Sequence, residues 1–306
     1  MPFAAERFLL VTADDFGIGP ATSRGVLDLA QRGAVTSTVL LVNSPFAGAG
    51  VAAWRACGRP LELGWHPCLT IDAPVLPPTE VPSLVGPDGR FPRLGVLLKR
   101  LALGRVRGAE VEAEFRAQLR RFHELVEAPP ANVNAHHHVH VFRPVGDALA
   151  RALAGSGASF VRRVVEPLRT LRRVPGARAK RALLSWFGTR AARRQDAAGL
   201  PGNDALLGIT DPPFTGRPDF FARWLAAASG RFVELSCHPG HLDATLDGRD
   251  GTLADGLVHR RPRELALLSQ PGFFDAVRAG GFTLVTAAEL VRRLRGEPGA
   301  PLRRTA

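Results

Sequence analysis

RFLLVTADDFG, residues 7–17, is the stretch that decides the fold. Its first six residues, RFLLVT (7–12), make an apolar run the length of one buried strand. Two carboxylates, Asp14 and Asp15, then stop it, and Gly17 and Gly19 make a sharp turn feasible. From Pro20 to about Arg32 the pattern is helical. A short buried strand handed directly to a helix is the unit of a parallel sheet with helices packed outside it.

The unit recurs along the chain. STVLLV (37–42), LELGWH (61–66), ANVNAHH (131–137), ASFVRRVV (158–165) and RFVELSCH (231–238) read as the second to sixth strands. FTLVTAAEL (282–290) reads as a seventh strand turning into a last helix. Between them lie a short helix near 46–56, a Pro/Gly-rich loop at 76–92 and a helix over 109–127. In that helix Val111, Phe115, Leu119, Phe122 and Val126 recur at helical spacing. Seven such units in 306 residues predict an α/β protein built as a single (β/α) barrel, incomplete at seven strands. The barrel domain is expected over residues 1–296, with a basic insertion at about 166–216 and a flexible C-terminal tail at 297–306.

Composition narrows the class. The chain is 45% hydrophobic, which supports a packed core. No apolar run nears the roughly 20 residues that cross a bilayer. The N-terminal MPFAAERFLLVTADDFG lacks the pattern of a secretory signal, so a soluble, cytoplasmic protein is expected. Cys57, Cys68 and Cys237 fall in no C-x-x-C pair and form no disulfide framework. Cys237 stands beside His238, but a small buried residue at a strand end is a simpler reading than a thiol nucleophile. The formal net charge of +12 is concentrated: residues 160–195 hold eleven Arg and Lys against one acid, Glu166. Such a charge admits nucleic acid, an anionic membrane surface or an anionic substrate.

Polar residues gather where strands end. ADDFG closes the first strand, GWHP the third, NAHHHVH the fourth and SCHPG the sixth. Barrels of this kind carry their active sites at those ends. A carboxylate with two imidazoles is a common shell for a catalytic divalent ion, and the set here is Asp15, His66 and His136. Magnesium or zinc fits it, as do cobalt, nickel and manganese. Asp14 is placed to take a proton from the attacking water, and His238 to protonate a leaving amine or hold the oxyanion. His137 should face away from His136 and be structural, whereas His138 and His140 share the parity of His136 and should line or back the pocket. Taken singly, paired aspartates after a strand also serve as caps or turns, and a lone histidine as a core residue. Their arrival together at four strand ends argues for a site.

The motifs LLVTADDFG, VTSTVLLVN, GWHPCLT, NAHHHVH and CHPG, in this order, resemble the YdjC-type carbohydrate deacetylases. The likeness runs from near the N-terminus to about residue 240. It implies a (β/α) barrel related to polysaccharide deacetylases and metal-dependent removal of N-acetyl groups from amino sugars. It also implies metal ligands at Asp15, His66 and His136, Asp14 as base, and His238 assisting the leaving group. VLPPTEVPSLVGPDGRF, VNAHHHVHVFRPV and VRRVVEPL look like the hopanoid-biosynthesis-associated branch, which implies an N-acetylglucosaminyl hopanoid or other glycolipid as substrate. In that alignment Arg162 matches a family arginine that orients a carboxylate or the substrate, and the resemblance implies Asn43 and Asn134 as further residues that contact substrate or support the ligands. Trp65 and Pro67 around His66, and Asn134 in place of an aspartate, depart from the usual pattern and bear on substrate shape.

Other readings stay open at this stage. RAKRALLSWFGTRAARR (178–194) sets aliphatic and aromatic residues among arginines, as a helix lying on an anionic membrane does; a solvated helix packed on the barrel is the plain alternative. A hydrolase acting on another amide or a phosphoester would use the same ligands. A non-enzymatic nucleic-acid binder would use the charge, but no nucleic-acid motif is present, and no such partner is expected. A homodimer is compatible with the sequence.

Overall fold

β1 (Arg7–Phe16) runs through the centre of the molecule, with nine of its ten residues buried. The computed structural model describes residues 6–158, 160–249 and 258–297; from residue 298 on, the expected tail lies outside the described residues. After β1 come α1 (Pro20–Gln31), β2 (Ser37–Leu40), α2 (Ala47–Ala56) and β3 (Glu62–Trp65). A long loop leads to α3 (Leu94–Ala102), α4 (Gly108–Val126), a 3-10 turn at His136–Val141 and α5 (Arg143–Leu153). Next are α6 (Leu168–Arg173), α7 (Arg178–Ala197), β4 (Ala205–Leu207), α8 (Pro212–Thr215), α9 (Phe220–Ala227) and β5 (Phe232–Cys237). The last elements are α10 (Arg260–Leu268), α11 (Pro271–Ala279), β6 (Phe282–Leu284) and α12 (Ala287–Leu294).

All strand pairs are parallel, in the order β3-β2-β1-β5-β4. Two extended segments bridge the gap from β3 to β4. The Trp65 amide donates to the Asn132 carbonyl at 2.9 Å, and Val133 to Phe160 at 2.8 Å. Leu206 of β4 donates to Val165 at 2.8 Å. Five strands and two extended segments thus close a ring of seven. β6 stands outside it, pairing with Arg7–Leu9 of β1 on the edge that β2 takes over from Thr12.

The expected fourth and fifth strands, 131–137 and 158–165, survive only as isolated bridges, Trp65 to Val133 and Val133 to Val161. The first is cut short because His137 and His138 take φ values of 55° and 57° and coil the chain. In the second, backbone bonds at Phe160, Arg162 and Val165 are interrupted where side chains take over at the Arg162 carbonyl and at Arg163. Asn203 pairs with both backbone groups of Arg163, and His140 and Gln195 donate to the Arg162 carbonyl. The 166–216 span includes a ring strand, β4, whose three residues are too few to show a period.

Phe8 and Leu10 near the start of β1, Phe232 of β5, and Val285, Leu290 and Val291 around α12 form a separate apolar cluster. It fills the ring at the strands' N-terminal ends, leaving the C-terminal ends for chemistry.

Candidate metal centre and active site

Local backbone geometry places the two aspartates. Along a strand, neighbours point to opposite faces. Here Asp15 turns to φ 67° and Gly17 to φ 81°, and the β1–β2 register shifts between Ala13 and Phe16. Both carboxylates are therefore delivered to the same end of the barrel, each 1% exposed.

Asp15 meets two imidazoles. Its Oδ1 lies 3.2 Å from His66 Nε2 and 3.0 Å from His136 Nδ1, and the two ring nitrogens are 3.3 Å apart. Ligand atoms bound about 2.1 Å from one cation stand about 3.0–3.4 Å from each other, so the triangle has the size of a coordination face. The donor set fits as well. His66 Nδ1 is 2.6 Å from the Asn134 carbonyl, which fixes the proton on Nδ1 and turns the Nε2 lone pair to the centre. Arg261 of α10 donates to the other Asp15 oxygen at 2.7 Å. Burial opposes ionisation of Asp15, but Arg261 and the two histidines hold its carboxyl well below the usual range. A charged Asp15 and lone pairs aimed at one point are what a divalent ion takes.

Asp14 faces a different set. Arg162 grips it with two bonds, 2.6 and 2.9 Å, and Ser236 Oγ donates to it at 2.8 Å. Asn134 Nδ2 is 3.4 Å away and His238 Nε2 3.8 Å. Arg162 is itself anchored on Glu234 at 2.7 Å, and Thr12 donates to the same Glu234 oxygen at 2.8 Å. Burial works against the Arg162 charge, yet Asp14 and Glu234 raise its pKa above that of an ordinary guanidinium. His238 is pushed well below the usual imidazole range by burial and by Arg260, so it is neutral at rest. Glu264 accepts from the His238 amide and fixes the loop that carries it.

A cleft of about 680 Å³ opens above this floor of Asp14, His66, His136, Ser236 and His238. Its walls are apolar: Leu94, Leu98 and Leu101 come from α3, and Leu183, Leu184 and Phe187 from α7. Lys180 and Arg260 also reach it.

The remaining sequence candidates divide. His138 lines the cleft as expected, and burial lowers its pKa. His140 does not line it. Its Nδ1 accepts from the Ala135 amide at 3.3 Å and its Nε2 donates to the Arg162 carbonyl at 3.1 Å, behind the site. His137 was expected to face away from His136; instead their rings pack 3.9 Å apart and His137 lines the cleft, because the 3-10 turn abolishes strand parity. Asn43 also lies outside the cleft lining. It donates to the Ile71 carbonyl at 2.7 Å and ties down the loop after β3. Cys237 is a buried strand-end residue whose thiol is pushed up by burial. Arg261, Glu234 and Ser236 escaped the sequence reading. For the last two a signal existed, since Glu234, Ser236 and His238 alternate on one side of an otherwise apolar strand. For Arg261 there was none.

Comparison with known proteins agrees with this architecture. Residues 8–279 match the family described as YdjC-like protein. A carbohydrate deacetylase of Geobacillus stearothermophilus is 31% identical over 94% of this chain and 99% of its own length. A chitooligosaccharide deacetylase of Serratia marcescens is 31% identical over 93% of this chain and 100% of its own. Among solved structures, a putative cellobiose-phosphate cleavage protein of Enterococcus faecalis superposes with a TM-score of 0.74 at 23% identity, covering 94% of this chain and 99% of that one. It shares the fold.

Proposed function

The chain belongs to the YdjC-like protein family, and on that premise we propose that it is a metal-dependent carbohydrate deacetylase. It removes the N-acetyl group of an amino sugar that carries an apolar aglycone, a glycolipid such as an N-acetylglucosaminyl hopanoid. The observation that carries the reading is that Asp15, beneath the cleft, meets His66 and His136, which share the cleft floor with Asp14 and His238. The relatives named as carbohydrate deacetylases support the reaction class. The leucines and phenylalanines of the cleft wall support the apolar aglycone, because a bare oligosaccharide would gain little from them.

Asp15, His66 and His136 would hold the ion, which supplies Lewis acidity at the amide carbonyl and at the attacking water. Asp14 takes the water's proton. Arg162 and Ser236 keep that carboxylate pointed into the cleft. His238, neutral at rest with its Nε2 3.8 Å from Asp14, takes that proton from Asp14 and passes it to the leaving amine as the C–N bond breaks. The products are acetate and a free amino sugar.

The test is acetate release by metal-reconstituted protein from N-acetylglucosamine, chitobiose and an N-acetylglucosaminyl hopanoid. Release from the glycolipid is expected, abolished by chelation and reduced about 10²–10⁴-fold in Asp14→Asn. Release from chitobiose alone would keep the mechanism and remove the lipid. No release from any of them with the ion bound would overturn the reading.

A further inference from the structure

The apolar lining of the cleft continues onto the outer surface of the molecule. Leu183 lines the cleft and is 58% exposed. Three residues on, Trp186 is 51% exposed, and Arg190 lays its guanidinium 3.5 Å over the Trp186 ring. Side chains three and four apart are neighbours on a helix, so these three share one stripe of α7. Another side of the helix, with Arg181, Gly188 and Gln195, is buried against the barrel. Leu184 and Phe187 face the cleft. Arg190 and Arg193 meet no carboxylate among the described residues, although Arg181 pairs with Glu166 and Arg194 with Asp147. One helix is thus fastened on one side, walls the cleft on the next, and shows tryptophan and unpaired arginines on a third.

We propose that this third side docks the protein on an anionic lipid bilayer, with the mouth of the cleft turned to the membrane. The role of docking rests on the deacetylase reading, since it lets the apolar part of a glycolipid pass from bilayer to cleft wall without crossing water. Docking itself rests on the surface. Indole rings settle at headgroup depth, and arginines are drawn to anionic headgroups. Charge complementarity favours this occupant: a second copy of a chain of net charge +12 would bring the same arginines to the contact.

Tryptophan emission tests this directly, because Trp54, Trp65 and Trp224 are only 6%, 0% and 0% exposed. Only Trp186 is open to lipid. The full chain, loaded with metal, is mixed with vesicles of brominated phosphatidylcholine, with and without phosphatidylglycerol. Quenching is expected on the anionic vesicles, weakened by salt and absent in Trp186→Phe. Arg190→Gln with Arg193→Gln should weaken vesicle partitioning about 25-fold, about five-fold for each arginine. Acetate release from a water-soluble N-acetylated sugar should be unchanged in these variants. Absent quenching, equal quenching in Trp186→Phe, or a wild-type dimer that Trp186→Ser turns into a monomer would each overturn the proposal. Docking that persists in a protein with no deacetylase activity would sink the function and leave the docking standing.

Discussion

Asp15 owes its place beside the histidines to one backbone torsion. At φ 67° it leaves the alternation of β1, so that Asp14 goes to Arg162 and Ser236 while its neighbour goes to His66 and His136. Two adjacent carboxylates of the same chemistry are thereby given separate partners. Removing either imidazole opens one corner of the triangle. His66→Ala and His136→Ala should each weaken divalent-ion binding by more than the roughly 10–100-fold that loss of an outer hydrogen-bond partner costs. Metal content after dialysis against a competing chelator, with circular dichroism to confirm folding, measures it; full retention of the ion in both variants would remove the centre. These residues were legible because each interrupts an apolar run at its end. Arg261 was not, because an arginine on a helix surface and one aimed at a carboxylate look alike in sequence.

At the scale of elements, α7 is set by a close approach. A Cβ on Gly188 would lie 1.8 Å from the Val164 carbonyl oxygen, so the helix can lie this near the 160–165 segment only because that position is glycine. Gly188→Ala should push the helix outward, with a loss of about 1–3 kcal/mol in chemical denaturation. It should also loosen the cleft wall formed by Leu184 and Phe187 and, on the proposed function, raise KM for the glycolipid more than it lowers kcat. An unchanged denaturation midpoint would mean that the contact is slack. Elements with a strong period were readable: the helix expected over 109–127 is α4, and the one expected from Pro20 to Arg32 is α1. Those that tertiary contacts hold were not. β4 has three residues, the 131–134 segment is held by backbone bonds to β3 and to the 160–165 segment, and asparagine, glutamine and histidine side chains take up the Arg162 and Arg163 backbone groups.

For the whole molecule, a group of neutral imidazoles in and behind the cleft sets a response to acid. Burial lowers the His140 pKa from the usual 6.5 to about 4, and desolvation also depresses the half-buried His138 and His238. The unfolded chain therefore binds protons first as pH falls. The contribution of His140 is full above pH 6.5 and is lost between 6.5 and about 4, up to about 3 kcal/mol. Denaturation of metal-free protein across that window should show falling stability. His140→Leu should be weaker than the parent at neutral pH yet less sensitive to acid, and an identical pH slope would contradict the assignment.

The cleft's floor and its walls come from different parts of the chain. Strand ends hold Asp14, Asp15, His66 and His238, while α3 and α7 bring the apolar sides. On the proposed function, reaction and selectivity are accordingly modular. Recasting the two helices would hand the same chemistry a different molecule, and a chain bearing another pair could keep the acetyl-cleaving floor while serving an unrelated acceptor.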